Sequence, residues 1–460
     1  MSADRVLAAS ATAIYAPNIL VRISTIVQTG GCVFIFPSTH IIYHSQANER
    51  EYDIKFAEAE IVEMTELLSH VNVRALRDRA TVLRKVDCTV PALSYDHKSR
   101  FSVMGGMNYH IPIHFVDGVT WLCRIRRHNI TTTPVAHQNR LILSEAATYQ
   151  FLSSRTQIPV PKVHDYSIYS PSNPIGVGYI LMDKLAGKPL SDCDLTDADR
   201  ERVLSQLADV FAALKQHPFK EIGCLLDPDN LSVGPVLDES TIDAEENGNL
   251  LLLGPFKSAL EYRTVSIKHQ IELILRGESY SDNPIDAYLV HRFILDSVLE
   301  SVTRNEQGPF FLKHMDDKGD HILVDDEFRI VGIIDWEWAQ ITTQSEAFAA
   351  PLYLLDVGLY YTGSNELSRE EVEFASVLKR RNKAGLAEHV YGSRVAHRLA
   401  HCVGGDTGDI EDLPNHFMGL LRAVLPYGNE QKTWEKWREG AMMTYEKDED
   451  LQHLIQRCSK

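Results

Sequence analysis

Residues 311–339 read FLKHMDDKGDHILVDDEFRIVGIIDWEWA, and the fold turns on this stretch. Ile322-Leu323-Val324 and Ile330-Val331-Gly332-Ile333-Ile334 are short apolar runs, separated by the polar Asp325-Asp326-Glu327. Apolar runs broken by such a cluster predict a β-hairpin. A hairpin returns the chain on itself. Asp316, just before the first strand, therefore comes near Asp335, just after the second, although nineteen residues separate them. Two ionised carboxylates held close repel, and a divalent cation relieves that repulsion. Phosphoryl transfer uses such a pair: one Asp orients or deprotonates the attacking hydroxyl, and the other holds the magnesium that bridges the ATP phosphates. The plainer alternative is a surface hairpin with solvated acids at both ends, because Asp is common in turns. The full string is more specific than any pair within it.

His314-x-Asp316, Ile322-Leu323-Val324 and Ile334-Asp335-Trp336-Glu337 together resemble the catalytic core of aminoglycoside phosphotransferase-like kinases, small-molecule relatives of protein kinases. The string Asp-Asp-Lys-Gly-Asp-His is similar to a fungal branch of that family. The resemblance implies an α+β, two-lobed protein-kinase-like fold, with a small β-rich N-lobe and a large, mainly helical C-lobe. It implies Asp316 as the catalytic base, Asp335 as the main magnesium ligand, and His314 packed beneath the loop. The family's Asn, seven residues after the His, is His321 here. His321 thus stands at the second metal-ligand position, acting directly or through water. A ring nitrogen is a poor partner for a hard cation that prefers oxygen. Asp320 is the adjacent oxygen donor, but the strand register argues against it.

Composition narrows the possibilities. A chain of 460 residues, 44% apolar and 24% charged, can bury a sizeable core and is ordinary for a soluble protein. Its formal charge is −17, from 46 basic and 63 acidic residues. That balance disfavours nucleic acid, which needs Lys and Arg on phosphates, and is compatible with a cationic small substrate. The seven cysteines are dispersed and form no CxxC pair. They suit a reducing compartment and argue against disulfide or zinc frameworks, so a cytoplasmic location is expected. No stretch reaches transmembrane length, and Ile19–Pro37 is too interrupted for a signal peptide. Asn129-Ile-Thr and Asn230-Leu-Ser match the glycosylation triplet, which matters only in secreted proteins.

Along the chain, residues 1–90 read as a partly helical N-terminal extension, with one helical pattern over Glu49–Arg84. Residues 91–187 read as the N-lobe and 188–460 as the C-lobe. His110–Phe115 alternates, Asp117-Gly118 is a hairpin turn, and Val119–Ile125 is the return strand. Helical patterns cover Gln138–Ser153, Asp197–Leu214, Ser258–Arg276, Asp286–Thr303, Glu370–Lys379 and Trp434–Tyr445.

Further candidates lie in the smaller lobe. Gly105-Gly106 precedes its first long strand, where backbone N–H groups could approach ATP phosphates. Leu122, Arg124 and Arg126 share one strand face. Arg124 is the candidate phosphate-holding cation, since a fixed donor fork suits phosphate. Arg126 and Arg127 are expected to be solvated. Glu145, the sole acid of the following helix, is the candidate partner that steadies Arg124. Met182 and Lys184 lie in a segment resembling the interlobe hinge, whose backbone reads adenine. Lys318 sits beside the proposed base. The expected activity is transfer of the ATP γ-phosphate to a hydroxyl of a small molecule. A nucleotide-binding protein without catalysis is the alternative, and His321 is its main support.

Overall fold

The computed structural model describes residues 27–29, 32–34, 46–127, 133–238, 242–244, 249–404, 412–425 and 432–459. The Asn129 triplet lies outside these residues.

The N-lobe is built on a five-stranded antiparallel sheet with strand order β3-β4-β5-β7-β6. Its strands are β3 (Cys88–Thr89), β4 (Asn108–Phe115), β5 (Thr120–Arg126), β6 (Val163–Ser167) and β7 (Tyr179–Asp183). The alternation in His110–Phe115 fixes the register: Ile111, Ile113 and Phe115 are buried on one face. Asp117-Gly118 closes the β4–β5 hairpin, with Gly118 at φ +87°, a value that suits glycine. Ahead of this sheet stand a small hairpin of β1 (Val27–Thr29) and β2 (Cys32–Phe34) and two helices. The single helical pattern expected over Glu49–Arg84 is two helices, α1 (Gln46–Ser69) and α2 (Val73–Arg84). The break has a local cause. The Asn72 side chain caps α2 by accepting from Ala75 N, which competes with continuation of the helix. Met64, Leu67 and Leu68 of α1 and Leu76 and Ala80 of α2 pack on the outer face of the sheet.

Helix α3 (Val135–Arg155) follows β5 and lies between the sheet and the C-lobe. The chain leaves the N-lobe through β8 (Lys188–Pro189), which pairs with β12 (Ile322–Val324). Strand β12 in turn pairs with β13 (Ile330–Ile333), Ile322 opposite Ile333, as the hairpin reading required. Two short pairs complete the strands: β9 (Cys224–Leu225) with β10 (Val233–Gly234), and β11 (Phe311–Lys313) with β14 (Gln340–Thr342).

The C-lobe is otherwise helical. Helix α4 (Asp197–Lys215) lays Val203, Leu207, Phe211 and Leu214 on a core shared with Phe311, Trp336 and Phe348. Helix α5 (Ala259–Arg276) starts at an N-cap, Ser258. The expected helix 286–303 is α6 (Pro284–Phe293) and α7 (Leu299–Thr303), joined by a π turn at Ile294–Val298. Short helices α8 (Gln344–Ala347) and α9 (Val357–Tyr361) lead to α10 (Arg369–Arg380), α11 (Ala384–Tyr391), α12 (Ser393–Val403), α13 (Asp412–Val424), α14 (Trp434–Thr444) and α15 (Glu449–Cys458). The result is an α+β, two-lobed kinase-like architecture.

Candidate active site

The β12–β13 hairpin ties the Asp316 loop to Asp335. Ile334 N donates to His321 O at 2.9 Å, and His314 Nε2 donates to Ile334 O at 2.9 Å. Asp335 follows directly, in the left-handed region at φ 64°, ψ 46°. That backbone is unfavourable for a residue with a Cβ, and Asn and Asp tolerate it best. Two contacts hold it: Tyr149 Oη of α3 accepts from Asp335 N at 3.1 Å, and Trp336 Nε1 donates to Ile333 O at 3.0 Å. The Asp335 side chain is 44% exposed, so the twist of the backbone presents the carboxylate toward the cleft.

Arg124 meets it there. Its Nη2 donates to Asp335 Oδ1 at 2.5 Å and to Glu337 Oε2 at 3.0 Å, while Nη1 lies 3.2 Å from Glu145 Oε1. The alternation of β5 put Arg124 on the face that looks at the C-lobe, and α3 carries Glu145 underneath. The expected pairing of Arg124 with Glu145 is therefore present in the geometry. Partial withdrawal from water would raise the Asp335 carboxyl, but the Arg124 guanidinium outweighs it and holds the group well below the usual carboxylate range. Burial dominates at Glu145 and pushes it up to about 7, with Arg124 pulling the other way.

The expectation of solvated Arg126 and Arg127 is overturned. Arg126 Nη1 donates to Glu337 Oε1, and its side chain is 7% exposed. Arg127 points to the opposite side of the sheet, where Nη2 donates to Glu60 Oε1 at 3.2 Å and Glu63 Oε2 at 2.9 Å. Period-2 alternation sends neighbouring residues to opposite faces, and here both faces are covered. Glu337 and Asn108 are the site residues that sequence reasoning missed. Asn108 Nδ2 donates to Glu337 Oε2 at 2.8 Å, so Glu337 receives three donors from β4 and β5. Glu337 stood inside the quoted string and Asn108 lies two residues after Gly105-Gly106, but nothing local signalled a contact across the lobes.

On the catalytic loop, Lys318 Nζ lies 2.6 Å from Asp316 Oδ2 and 3.6 Å from Asp320 Oδ2. Burial works against the Lys318 charge, but Asp316 and Asp320 outweigh it and raise the group. His314 packs as expected, its ring 4.1 Å from that of His321 and edge-on to Trp336 at 4.8 Å. His321 is buried, and its Nδ1 accepts from Gly319 N at 3.3 Å. Burial, followed by the neighbouring His314, pushes its ring down to about 2, so it is neutral.

The model of the phosphotransferase enzyme family matches residues 116–346, half of the chain. The chain belongs to the phosphotransferase enzyme family. The matched region contains Arg124, Glu145, Met182, Lys184, His314, Asp316, His321 and Asp335, and begins after Gly105, Gly106 and the first two helices. A subtelomeric hrmA-associated cluster protein of Aspergillus fumigatus is 32% identical over 124 residues. That match spans 26% of this chain and 23% of the curated relative. Among solved structures, a macrolide 2'-phosphotransferase from Brachybacterium faecium is 14% identical, with a TM-score of 0.38 over 76% of this chain and 98% of that one. The GDP complex of an aminoglycoside 2'-phosphotransferase is 15% identical, with a TM-score of 0.38 over 76% of this chain and 98% of that one.

In this phosphotransferase the donor set suits magnesium at Asp335 and not at His321. A neutral imidazole that accepts at Nδ1 carries its proton on Nε2, and a protonated nitrogen cannot ligate. The oxygen donors on the open side of the loop are Asp316 and Asp320, whose side chains are 33% and 50% exposed. In the segment expected to serve as the hinge, the Met182 side chain is buried in the core, and Lys184 N donates to Thr120 O at 3.3 Å. Gly105 and Gly106 form the turn that opens β4, and an added Cβ at either would meet nothing within 4 Å.

A second group of ligand-type residues lies in the C-lobe, where His401, Asp412 and His416 each bring an atom within 4.8 Å of the others. Arg398 Nη1 donates to His416 Nδ1 at 2.5 Å, which puts the ring proton on Nε2. A cation there would face that proton and a buried guanidinium, so the group is packing. Among the described residues, no helix is long and apolar enough to cross a membrane.

Proposed function

We propose that this phosphotransferase uses ATP and moves its γ-phosphate to a hydroxyl of a small molecule in the cytoplasm. One observation carries the reading: Asp335, Arg124 and Glu145 form one connected ionic set, hydrogen-bonded through the hairpin to the loop that carries Asp316. These are the parts that phosphoryl transfer needs, because its catalysis is mostly positioning and charge stabilisation. Asp335 would hold magnesium, with Asp316 or Asp320 as the further oxygen donors that the catalytic loop offers. Bound there, the metal would neutralise charge on the phosphate oxygens.

The remaining roles belong to the chain's own side chains. Asp316 accepts the proton of the acceptor hydroxyl as its oxygen forms a bond to the γ-phosphorus. The bond from that phosphorus to the β–γ bridging oxygen breaks, and ADP leaves with the electron pair. Lys318, whose Nζ donates to Asp316 Oδ2 at 2.6 Å, orients that carboxylate and sets a positive charge beside the transferred group. Arg124 exchanges its bond to Asp335 for phosphate oxygens while Glu145 keeps its orientation. The backbone of the hinge at Met182 and Lys184 borders the base. The free thiols at Cys88, Cys193 and Cys458 agree with a reducing compartment.

Calorimetric ATP binding, with and without magnesium, on the wild type and on Asp335→Ala tests the reading. Binding that needs both magnesium and Asp335 supports it and opens a screen of hydroxyl acceptors, cationic ones first. Absence of binding under every condition would refute ATP dependence.

A further inference from the structure

Helices α1 and α2 stand before the region that the family model matches, yet α1 reaches the Gly105-Gly106 turn. The link is Arg127, which is 8% exposed. One end of its guanidinium is gripped by α1. Nε and Nη2 donate to Glu63 at 3.2 and 2.9 Å, and Nη2 also donates to Glu60 at 3.2 Å. The other end holds the glycine turn, where Nη1 donates to Gly106 O at 3.2 Å and to Gly105 O at 3.4 Å. The Arg127 backbone N donates to Met107 O at 2.9 Å, so the turn is bound to β5 as well.

Glu60 is itself anchored. It is 3% exposed and receives Tyr95 Oη, His97 Nδ1 at 2.7 Å and Arg100 Nη1 at 3.4 Å. Such an anchor is stiff, because each bond involves a buried charge with several donors. On its far side the turn continues into Asn108, which bonds the same Glu337 that Arg124 bonds. A physical chain therefore runs from α1 through Arg127 and the Gly105-Gly106 turn to the ionic set at Asp335.

We propose that α1 is a built-in clamp that holds the Gly105-Gly106 turn through Arg127 and thereby sets the affinity of the cleft for nucleotide. Arg127 is a positioning residue in this scheme, and it touches no substrate. The glycines supply the reason that a clamp is needed. Two adjacent residues without a Cβ, with open space around them, have large conformational freedom, and ordering them at the moment of binding would subtract from affinity. Holding their carbonyls beforehand removes that loss. Anything that displaces α1 would release the turn, which makes the N-terminal extension a control point. The inference rests on the proposed nucleotide site.

The experiment uses the full chain and compares the wild type, Arg127→Met, Arg127→Lys and Glu63→Gln. Two quantities are read: amide hydrogen exchange of residues 103–110 without nucleotide, and calorimetric affinity for magnesium–ATP. Arg127→Met and Glu63→Gln are expected to expose the turn to exchange and weaken ATP binding by about three- to ten-fold, the scale of one ordinary hydrogen bond, because the loss reaches the nucleotide only through the turn. Arg127→Lys should recover part of both, since Lys keeps the charge without the fork. In turnover assays KM for ATP should rise by more than kcat falls, a split that mere loss of folded protein does not produce. Should Arg127→Met fail to fold, Glu63→Gln carries the test, because Glu63 is partly exposed. Unchanged exchange in the variants overturns the clamp, and increased exchange with unchanged ATP affinity overturns its link to nucleotide. If the wild type binds no ATP, the nucleotide site has failed, and exchange alone decides whether α1 holds the turn.

Discussion

Asp316 and Glu145 carry the clearest tests at the level of single residues. Asp316→Asn should lower turnover by about 10²- to 10⁴-fold, the range for losing a general base, while ATP affinity is retained. Steady-state kinetics beside calorimetry check it, and near-normal turnover would show that another group takes the proton. Glu145 makes a prediction in pH. Its folded value, about 7, lies above the unfolded 4.5. The native protein keeps this proton after the unfolded chain has lost it, so the stability that Glu145 contributes falls as pH rises through that window. Glu145→Gln should flatten that part of the profile, measured by urea unfolding at several pH values between about 4.5 and about 7. Each residue could be singled out in the sequence as a candidate, for a different reason. Asp316 sits in a string whose chemistry is contiguous, and Glu145 is the single acid on a helix facing a known strand face. Glu337 was quoted in the same string, but its three donors come from residues up to 229 positions away, and local pattern cannot reveal partners at that range.

The element that connects the lobes is short and confined. Gly187 has φ +117°, and an added Cβ would stand 2.8 Å from Val331 Cγ2 and 3.0 Å from Val324 O. Gly187→Ala should therefore destabilise by about 1–3 kcal/mol, since both the backbone conformation and the packing oppose it. Thermal melting checks the size, and an unchanged melting temperature would mean that the linker relaxes freely. The capping box of α10 offers a comparison: Ser368→Ala should cost about 1–2 kcal/mol, because Ser368 caps Glu371 N and also donates to Leu354 O. Periodicity located α4 and α10, whose buried residues recur at helical spacing, while α3 is buried on several sides and was located by its length. It ran α1 and α2 together, since apolar spacing continues across the Asn72 break. Helices α11 to α13 were not read from the sequence, although Ala396, Leu399, Cys402 and Val403 of α12 recur at helical spacing.

Across the whole molecule, the lobes are joined at their front by charge. Asn108, Arg124 and Arg126 of the N-lobe converge on Glu337 and Asp335 of the C-lobe. Replacing one partner of a buried pair leaves the other without compensation. Glu337→Gln should thus destabilise the protein by about 3–5 kcal/mol, the range for breaking such a pair, read from urea unfolding. A loss below about 1 kcal/mol, the worth of a solvated surface pair, would show that this contact is wet. The two neighbouring arginines at the end of β5 also bear on which changes in chain length the protein can tolerate. Arg126 serves the cleft and Arg127 serves α1, on opposite sides of one sheet. Inserting or deleting one residue between Trp121 and Arg127 would deliver each guanidinium to the wrong side and strand both sets of carboxylates at once. The Asp117-Gly118 turn carries one partly exposed ion pair, Asp117 with Arg84, and neither of those carboxylate sets, so insertions and deletions in this hairpin should be borne better at its tip than along β5.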